Sequence, residues 1–347
     1  MDQPLFAELL EKLRRHEDLT VVEAAAAMAE IMAGRAEAAQ IAGLLIGLSM
    51  KGERPREIVG LARTMRAHAT PLTRSYAPVF DTCGTGGDRS GTFNVSSVAA
   101  LVLTACGVRV AKHGNRSVSS SCGSADLFEA LGVNVAASPA IVERCLAEVG
   151  IGFFFAPTFH PSMRHAALTR RQLGVRTAFN LLGPLTNPAG AARQLVGVPR
   201  PELTELVARA LALLGSERAW VVHGADGLDE ISNTGYTKVS ECRDGIVNTF
   251  YVHPSEFGLA KAPLEALLGG DAARNAQIAR RVLAGEPGPW REIVLLNAGA
   301  GLFVAGRAAS VKAGIERAAH ALDEGDAARS LERLVSVSQM DGAASGA

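Results

Sequence analysis

With 347 residues, of which 48% are hydrophobic, the chain can bury a substantial core. That excludes a disordered protein and leaves room for two domains, or for one large α/β domain with a smaller partner. Lys+Arg and Asp+Glu balance at 35 each, so no global field recruits nucleic acid or an anionic membrane, and a small charged ligand held by local geometry suits the chain better. The five cysteines (Cys83, Cys106, Cys122, Cys145, Cys242) are odd in number and contain no C-x-x-C pair, so they read as reduced cytosolic thiols.

The amino terminus mixes acidic and basic residues without a signal-peptide core, and no apolar run approaches a membrane span, so a soluble, cytoplasmic protein is expected. Residues 1–67 read as helices only. Pro4 can start the first, with Leu9, Leu10 and Leu13 on one face. Thr20-Val-Val-Glu23 is a capping box for the second, which Gly34 can end. Ala36 to Met50 and Arg54 to Ala67 supply two more. Four helices make a small bundle, which can leave apolar surface for a partner. Residues 68–78, with two prolines and no periodicity, form a linker.

From Val79 onward strands alternate with helices, which predicts a mostly parallel sheet flanked by helices. Val79-Phe80 is a strand ending at Asp81-Thr82. A glycine cluster follows (Gly84, Gly86, Gly87), then Asp88, Thr92 and Asn94 to Ser97. A helix over Val98–Cys106 leads to a second strand, Val108–Ala111, which empties into Lys112-His113-Gly114-Asn115-Arg116 and a serine run. Helices are expected at Ser124–Leu131, Pro139–Val149, Arg164–Leu173 and Pro201–Leu214. Strands are expected at Ile151–Phe155, Val196–Val198 and Ala219–Val222. Tyr236–Glu241 and Ile246–Val252 read as a hairpin across a three-residue turn, Arg243-Asp244-Gly245. The last hundred residues are chiefly helical, and Asp341–Ala347 reads as a frayed tail.

Successive strand ends that deliver donor-rich loops meet at the carboxyl edge of a parallel sheet. Glycines admit a close ligand, and amide groups at a helix start favour anions. With Lys112, Arg116 and several hydroxyls added, a polyphosphate bearing a polyol is the natural guest. The glycine cluster alone is equally a flexible turn, and it fits neither a Walker loop nor the dinucleotide fingerprint. Beyond the strand ending at His223-Gly224, the neighbouring acids Asp229 and Glu230 suit Mg²⁺, which takes one or two carboxylates plus phosphate oxygens; alone they would read as a solvated acidic turn.

GTGGD at Gly84–Asp88, NVSS at Asn94–Ser97 and KHGNRSVSS at Lys112–Ser120 resemble the signature of the anthranilate phosphoribosyltransferase family, and the likeness extends over nearly the whole chain. The resemblance implies transfer of a 5-phosphoribosyl group from phosphoribosyl pyrophosphate to the amine of anthranilate, in tryptophan biosynthesis. It also implies Mg²⁺ as cofactor and a homodimer through the helical domain, with no nucleic-acid or membrane partner. By the same resemblance, residues 1–67 join helices near 164–188 in a helical domain, and 79–340 form the α/β phosphoribosyl-binding catalytic domain.

Carried over residue by residue, the donor is contacted by Gly84, Gly87, Asp88, Thr92, Asn94, Val95, Ser96 and Ser97. A second wall comes from Lys112, His113, Gly114, Asn115, Arg116, Ser117, Val118, Ser119, Ser120 and Ser124. The metal falls to Ser96, Asp229 and Glu230. The family usually shows threonine where this chain has Ser97; the hydroxyl is kept and a methyl lost. Anthranilate is contacted by Gly84, Asn115 and Arg170, with His160, Gly183 and Pro184 lining its channel.

A guanidinium is the fitting partner for an aryl carboxylate, although Arg170 could equally be a surface arginine like Arg164, Arg171 and Arg176 beside it. Gly183-Pro184 could be a plain helix-stopping turn. His113 reads as a hydrogen-bonding residue and not as a base, and no residue is assigned as catalytic acid or base. A pyrimidine nucleoside phosphorylase would share the architecture and a phosphate loop but would not call for the acid pair or the Arg170 segment. A nucleic-acid-binding relative of the fold would want a basic stripe, against the zero net charge.

Overall fold

The computed structural model describes residues 4–88, 90–117 and 121–340; the tail expected at 341–347 lies outside them. Four helices come first: α1 (Pro4–Arg14), α2 (Val21–Met32), α3 (Ala38–Lys51) and α4 (Pro55–Ala67). The capping box at Thr20 and Glu23 forms, and Gly34 follows α2 with φ +72°. Residues 68–78 are pinned as they cross to the sheet: the Glu143 carboxylate accepts hydrogen bonds from the Thr73 N–H at 3.0 Å and the Tyr76 hydroxyl at 3.0 Å.

The remaining elements are β1 (Phe80–Gly84), α5 (Val95–Ala105), β2 (Val110–Gly114), α6 (Ser124–Ala130), α7 (Pro139–Glu148), β3 (Ile151–Phe155) and the short α8 (Ala156–Phe159). Then follow α9 (Arg164–Leu173), α10 (Ala178–Leu185), β4 (Arg193–Gly197), α11 (Leu203–Leu213), β5 (Arg218–Gly224), β6 (Thr237–Arg243) and β7 (Ile246–Val252). The chain closes with α12 (Ala272–Leu283), α13 (Pro289–Val304), α14 (Val311–Asp323) and α15 (Asp326–Ser338). One seven-stranded sheet runs β3-β2-β1-β4-β5-β6-β7, parallel through β5 and antiparallel beyond.

Alternation along the central strands serves two cores. Phe80, Leu195, Trp220 and Val222 face the larger one, built on α5, α12, α13 and α14. Val196, Ala219 and Val221 face the other, which α10 and α11 share with α1 to α4. Ala166 of α9 and Phe179 and Leu182 of α10 belong to that second core, so these helices pack on the amino-terminal bundle.

One sequence expectation needs correction, and one open alternative is decided. The hairpin turn has two residues, not three: Arg243 pairs with Ile246, and Asp244 and Gly245 take φ +51° and +79°. Two left-handed residues match the twist of the flanking strands, and Asp-Gly suits them. Helix α10 falls within the 164–188 stretch where the resemblance implied helices, and it settles Gly183-Pro184 as helical and not as a helix-stopping turn. Thr177 and Asn180 cap its start, and Pro184 falls in the last turn, where its missing N–H costs one hydrogen bond at most.

Candidate active site

The chain builds β2 and β3 on one side of β1, then returns to lay β4 and β5 on the other. Between the carboxyl ends of β1 and β4 lies the crevice where open α/β sheets take their ligands. Gly84 and Gly197 pair across it, and Asp229 fills the space their absent side chains leave. A Cβ on Gly84 would stand 2.2 Å from Asp229 Oδ2, and one on Gly197 would stand 1.6 Å from the Asp229 carbonyl oxygen. Both glycines are therefore required by the close approach of the acid loop.

That loop is braced from behind. Leu228 and Ile231 anchor it in the larger core. Asn297 of α13 accepts the Ile231 N–H at 3.0 Å and donates to the Ile231 carbonyl at 2.8 Å. Asp226 Oδ2 accepts the hydroxyls of Ser232 and Thr234, both at 2.5 Å.

Thus held, the acid pair reaches two loops. Asp229 Oδ2 accepts the Gly86 N–H at 3.0 Å, and Glu230 Oε1 accepts the Ser96 N–H at 3.0 Å at the start of α5. Burial raises the pKa of both acids. The neighbouring charge of Asp88 raises Asp229 further, and that of Asp229 raises Glu230. A buried carboxylate, Glu230, repelled by the half-buried Asp229 beside it calls for a cation. Among the described residues no ready-made cage of three or more His, Cys, Asp or Glu side chains exists. The donor set suits Mg²⁺, which is satisfied by one or two carboxylates when a phosphate supplies further oxygens.

The second wall rises from β2. Lys112 is buried at 2% exposure, and its charge acts on both Asp81 and Glu230. Asp81 is itself tied down: its Oδ2 accepts Asn187 Nδ2 at 2.8 Å, and its Oδ1 accepts the His113 N–H at 3.2 Å. A Cβ on Gly114 would meet Ser124 Oγ at 2.3 Å, so β2 and α6 nearly touch there. The Asn115 carbonyl accepts the Ala125 N–H at 3.2 Å. Arg116, expected as a donor contact, has its guanidinium on Glu129 at 2.8 and 3.0 Å and on Asp126 at 2.9 Å. The Ser117 N–H likewise donates to Asp126. Val118, Ser119 and Ser120 lie outside the described residues.

Other loop residues carry structural duties. Thr92 forms an isolated bridge with Leu268, and Asp88 accepts the Ser90 hydroxyl at 2.5 Å. Asn94 donates to the Cys122 carbonyl and accepts from Asn275, each at 3.0 Å, which ties the start of α5 to the serine loop and α12. Val95 is buried in the larger core, and its N–H donates to the Phe93 carbonyl at 2.8 Å. The Ser97 hydroxyl is buried without a partner among the described residues.

The residues expected to line the acceptor channel gather where α8, α9 and α10 meet β2. His113 Nδ1 donates to the Gly183 carbonyl at 2.9 Å, which leaves Nε2 as a bare lone pair. The ring of His160 lies 5.2 Å away, with the Thr186 backbone near it but neither ring nitrogen in a well-formed hydrogen bond. Burial pushes the His113 imidazole down to about 3 and that of His160 to about 4. Both rings are neutral near neutral pH. Pro184 joins Gly183 in α10, and its carbonyl accepts Gln194 Nε2 at 2.7 Å. The Arg170 guanidinium is desolvated and sits over the Phe179 ring at 5.8 Å, with no carboxylate paired to it among the described residues.

Sequence reasoning missed Asp81, Asn187, Asp226 and Asn297, whose role is to hold others in place and which carry no local motif. It also set Arg176 aside as a surface arginine. Arg176 is exposed, yet its Nη2 donates to the Thr85 carbonyl in the glycine loop at 3.1 Å.

Both parts of the fold match models of glycosyl-transferring enzymes: residues 7–69 the helical bundle domain of a glycosyl transferase family, and 76–328 its a/b domain. An anthranilate phosphoribosyltransferase of Symbiobacterium thermophilum is 52% identical over 94% of this chain and 96% of its own. The crystal structure of the Thermus thermophilus enzyme of that name superposes with a TM-score of 0.90 at 48% identity, covering 95% of this chain and 99% of that one. The Saccharomyces cerevisiae enzyme, in complex with PRPP and Mg, gives 0.89 at 28% identity over 98% and 99%; a second structure of it holds 4-fluoroanthranilate. The chain belongs to the anthranilate phosphoribosyltransferase family. Among the described residues no helix is long and apolar enough to cross a membrane.

Proposed function

We propose that the chain transfers the 5-phosphoribosyl group of phosphoribosyl pyrophosphate to the amine of anthranilate, giving N-(5-phosphoribosyl)anthranilate and pyrophosphate, a step of tryptophan biosynthesis. The observation that carries this reading is the meeting of three loops at the β1–β4 crevice, with Asp229 and Glu230 hydrogen-bonded to Gly86 and Ser96. Asp229, Glu230 and the Ser96 hydroxyl would hold Mg²⁺, which when bound supplies positive charge toward the departing pyrophosphate.

Breaking the glycosidic bond builds negative charge on the pyrophosphate and positive charge on the ribose. Lys112, buried beside the acids, adds a fixed cation to the leaving-group side. Gly84, Gly87, Asp88, Thr92 and Asn94 to Ser97 line the donor on one side, and Lys112 to Ser117 with Ser124 on the other. Arg170 receives the anthranilate carboxylate, and Asn115, His160, Gly183 and Pro184 shape the channel. Orientation is the main contribution to the attack, because the neutral rings of His113 and His160 are too weakly basic to act as strong bases.

In this reading residues 1–67, with helices near 164–188, are the helical domain, 68–78 the linker and 79–340 the catalytic domain. The family boundaries at 69 and 76 support that division. A homodimer through the helical domain is part of the same proposal, supported by Val22 and Met50, exposed at 77% and 76% on α2 and α3. The deciding experiment follows the fluorescence of anthranilate as it is consumed, with and without phosphoribosyl pyrophosphate and Mg²⁺. Consumption that needs neither would overturn the reading.

A further inference from the structure

The peptide joining Thr85 to Gly86 is gripped from both sides. Its carbonyl accepts from Arg176 Nη2 at 3.1 Å, and its N–H donates to Asp229 Oδ2 at 3.0 Å. Arg176 reaches this peptide from the loop between α9 and α10, which pack on the bundle core. Its path runs under Gly87: a Cβ there would stand 1.7 Å from Arg176 Nη1, and Gly87 has φ +84°. It is the left-handed backbone that requires glycine there, since the arginine's tip is the flexible end of an exposed side chain and can shift. The carboxylates of Asp229 and Asp88 lie within Coulombic range of the guanidinium, though neither is in direct ion-pair contact with it. Two amides that an anion could use are spent on the acids here, Gly86 N–H on Asp229 and Ser96 N–H on Glu230.

We propose that Arg176 is the resident cation of the donor site: it holds the Thr85–Gly86 peptide so that the N–H caps Asp229, and it competes with a divalent metal for the acid cluster. This rests on the reading of Asp229 and Glu230 as the metal-holding acids. When Asp229 turns to a metal, the Gly86 N–H is released for a diphosphate oxygen, and Arg176 sets how costly that exchange is. Arg176 is a positioning residue in this scheme.

The test uses the full chain without donor and Mn²⁺ alone as probe, with free Mn²⁺ read by electron paramagnetic resonance. Arg176 is exposed and belongs to neither apolar core, so Arg176→Gln should fold, which circular dichroism checks. An exposed charge interaction of this kind is worth a fraction of a kcal/mol up to about 1, so Arg176→Gln should bind Mn²⁺ about threefold more tightly than wild type. Arg176→Lys, which keeps a charge, should show a smaller gain. Unchanged or weaker Mn²⁺ binding in Arg176→Gln overturns the proposal, since a merely structural arginine would lower the melting temperature without tightening the metal. Asp229→Asn with Glu230→Gln serves as reference. If that double variant holds Mn²⁺ as wild type does, the metal reading falls and the proposal with it. If it loses Mn²⁺ while Arg176→Gln matches wild type, only the proposal falls.

Discussion

Arg170 is a charge taken partly out of water with only an aromatic face beside it. Such a group gains most when a carboxylate arrives, because a charge-assisted hydrogen bond formed away from water is among the stronger ones available. Arg170→Ala should therefore raise the KM for anthranilate by about ten- to a hundredfold, from roughly 1.5–3 kcal/mol of lost interaction, and leave the KM for the phosphoribosyl donor within about twofold. Steady-state kinetics with each substrate varied in turn decides it, and equal effects on both constants would return Arg170 to a general structural role.

The histidine pair makes a separate claim. With pKa values near 3 and 4 in the fold against about 6.5 in the unfolded chain, the unfolded state takes up protons first as pH falls. Stability is then fully present above pH 6.5 and drains below it, by about 1.4 kcal/mol per pH unit for each ring. His160→Gln should remove one such contribution, so urea unfolding between pH 6.5 and 5 should show a shallower pH slope than wild type. Parallel slopes would mean that His160 titrates alike in both states. The acids at 229 and 230 were legible at this scale because they follow a strand end, where the sheet itself collects ligands. Arg176 was not, because its target is 91 residues away in the chain and nothing beside it hints at the reach.

Among the elements, β3, β7 and α9 were readable to the residue, since each has uninterrupted periodicity and clear stops at both ends. The strands at the site were read short. β1 runs past the expected end at Asp81-Thr82 through Cys83 and Gly84, and β2 runs on through Lys112 and His113, polar residues that are nonetheless buried. Sequence patterning treats polarity as exposure, and that assumption fails at the carboxyl edge, where buried polar groups are held by each other, as Asp81 is by Asn187. The β6–β7 turn offers a clean check on backbone chemistry. Gly245 has φ +79° with open space around it, so Gly245→Ala meets no clash and suffers only the left-handed penalty. The expected cost is about 1 kcal/mol, a fall in Tm of roughly 1–2 °C for a chain this long. Calorimetry showing no change would mean that the turn relaxes to another type.

At the scale of the whole molecule, the two family domains do not own separate cores. The bundle's apolar cluster is completed by α10 and α11 and by Val196, Ala219 and Val221 from the sheet. Two-domain organisation was readable from the helices-then-alternation pattern, but this sharing was not, since it depends on a return of the chain through α9 and α10 that no local signal announces. A shared core predicts shared unfolding. Leu182, 1% exposed on α10, sits where the bundle and the sheet layer join, and truncating such a residue costs about 2–5 kcal/mol. Both tryptophans, Trp220 on β5 and Trp290 on α13, lie outside the bundle. Their fluorescence therefore reports the α/β layer, while far-ultraviolet circular dichroism reports all helices. In Leu182→Ala the two signals should still move together, in one transition at lower denaturant than wild type. Helicity lost before the fluorescence changes would show that the bundle melts alone, and that the apolar contacts joining it to the sheet contribute little to the stability of either.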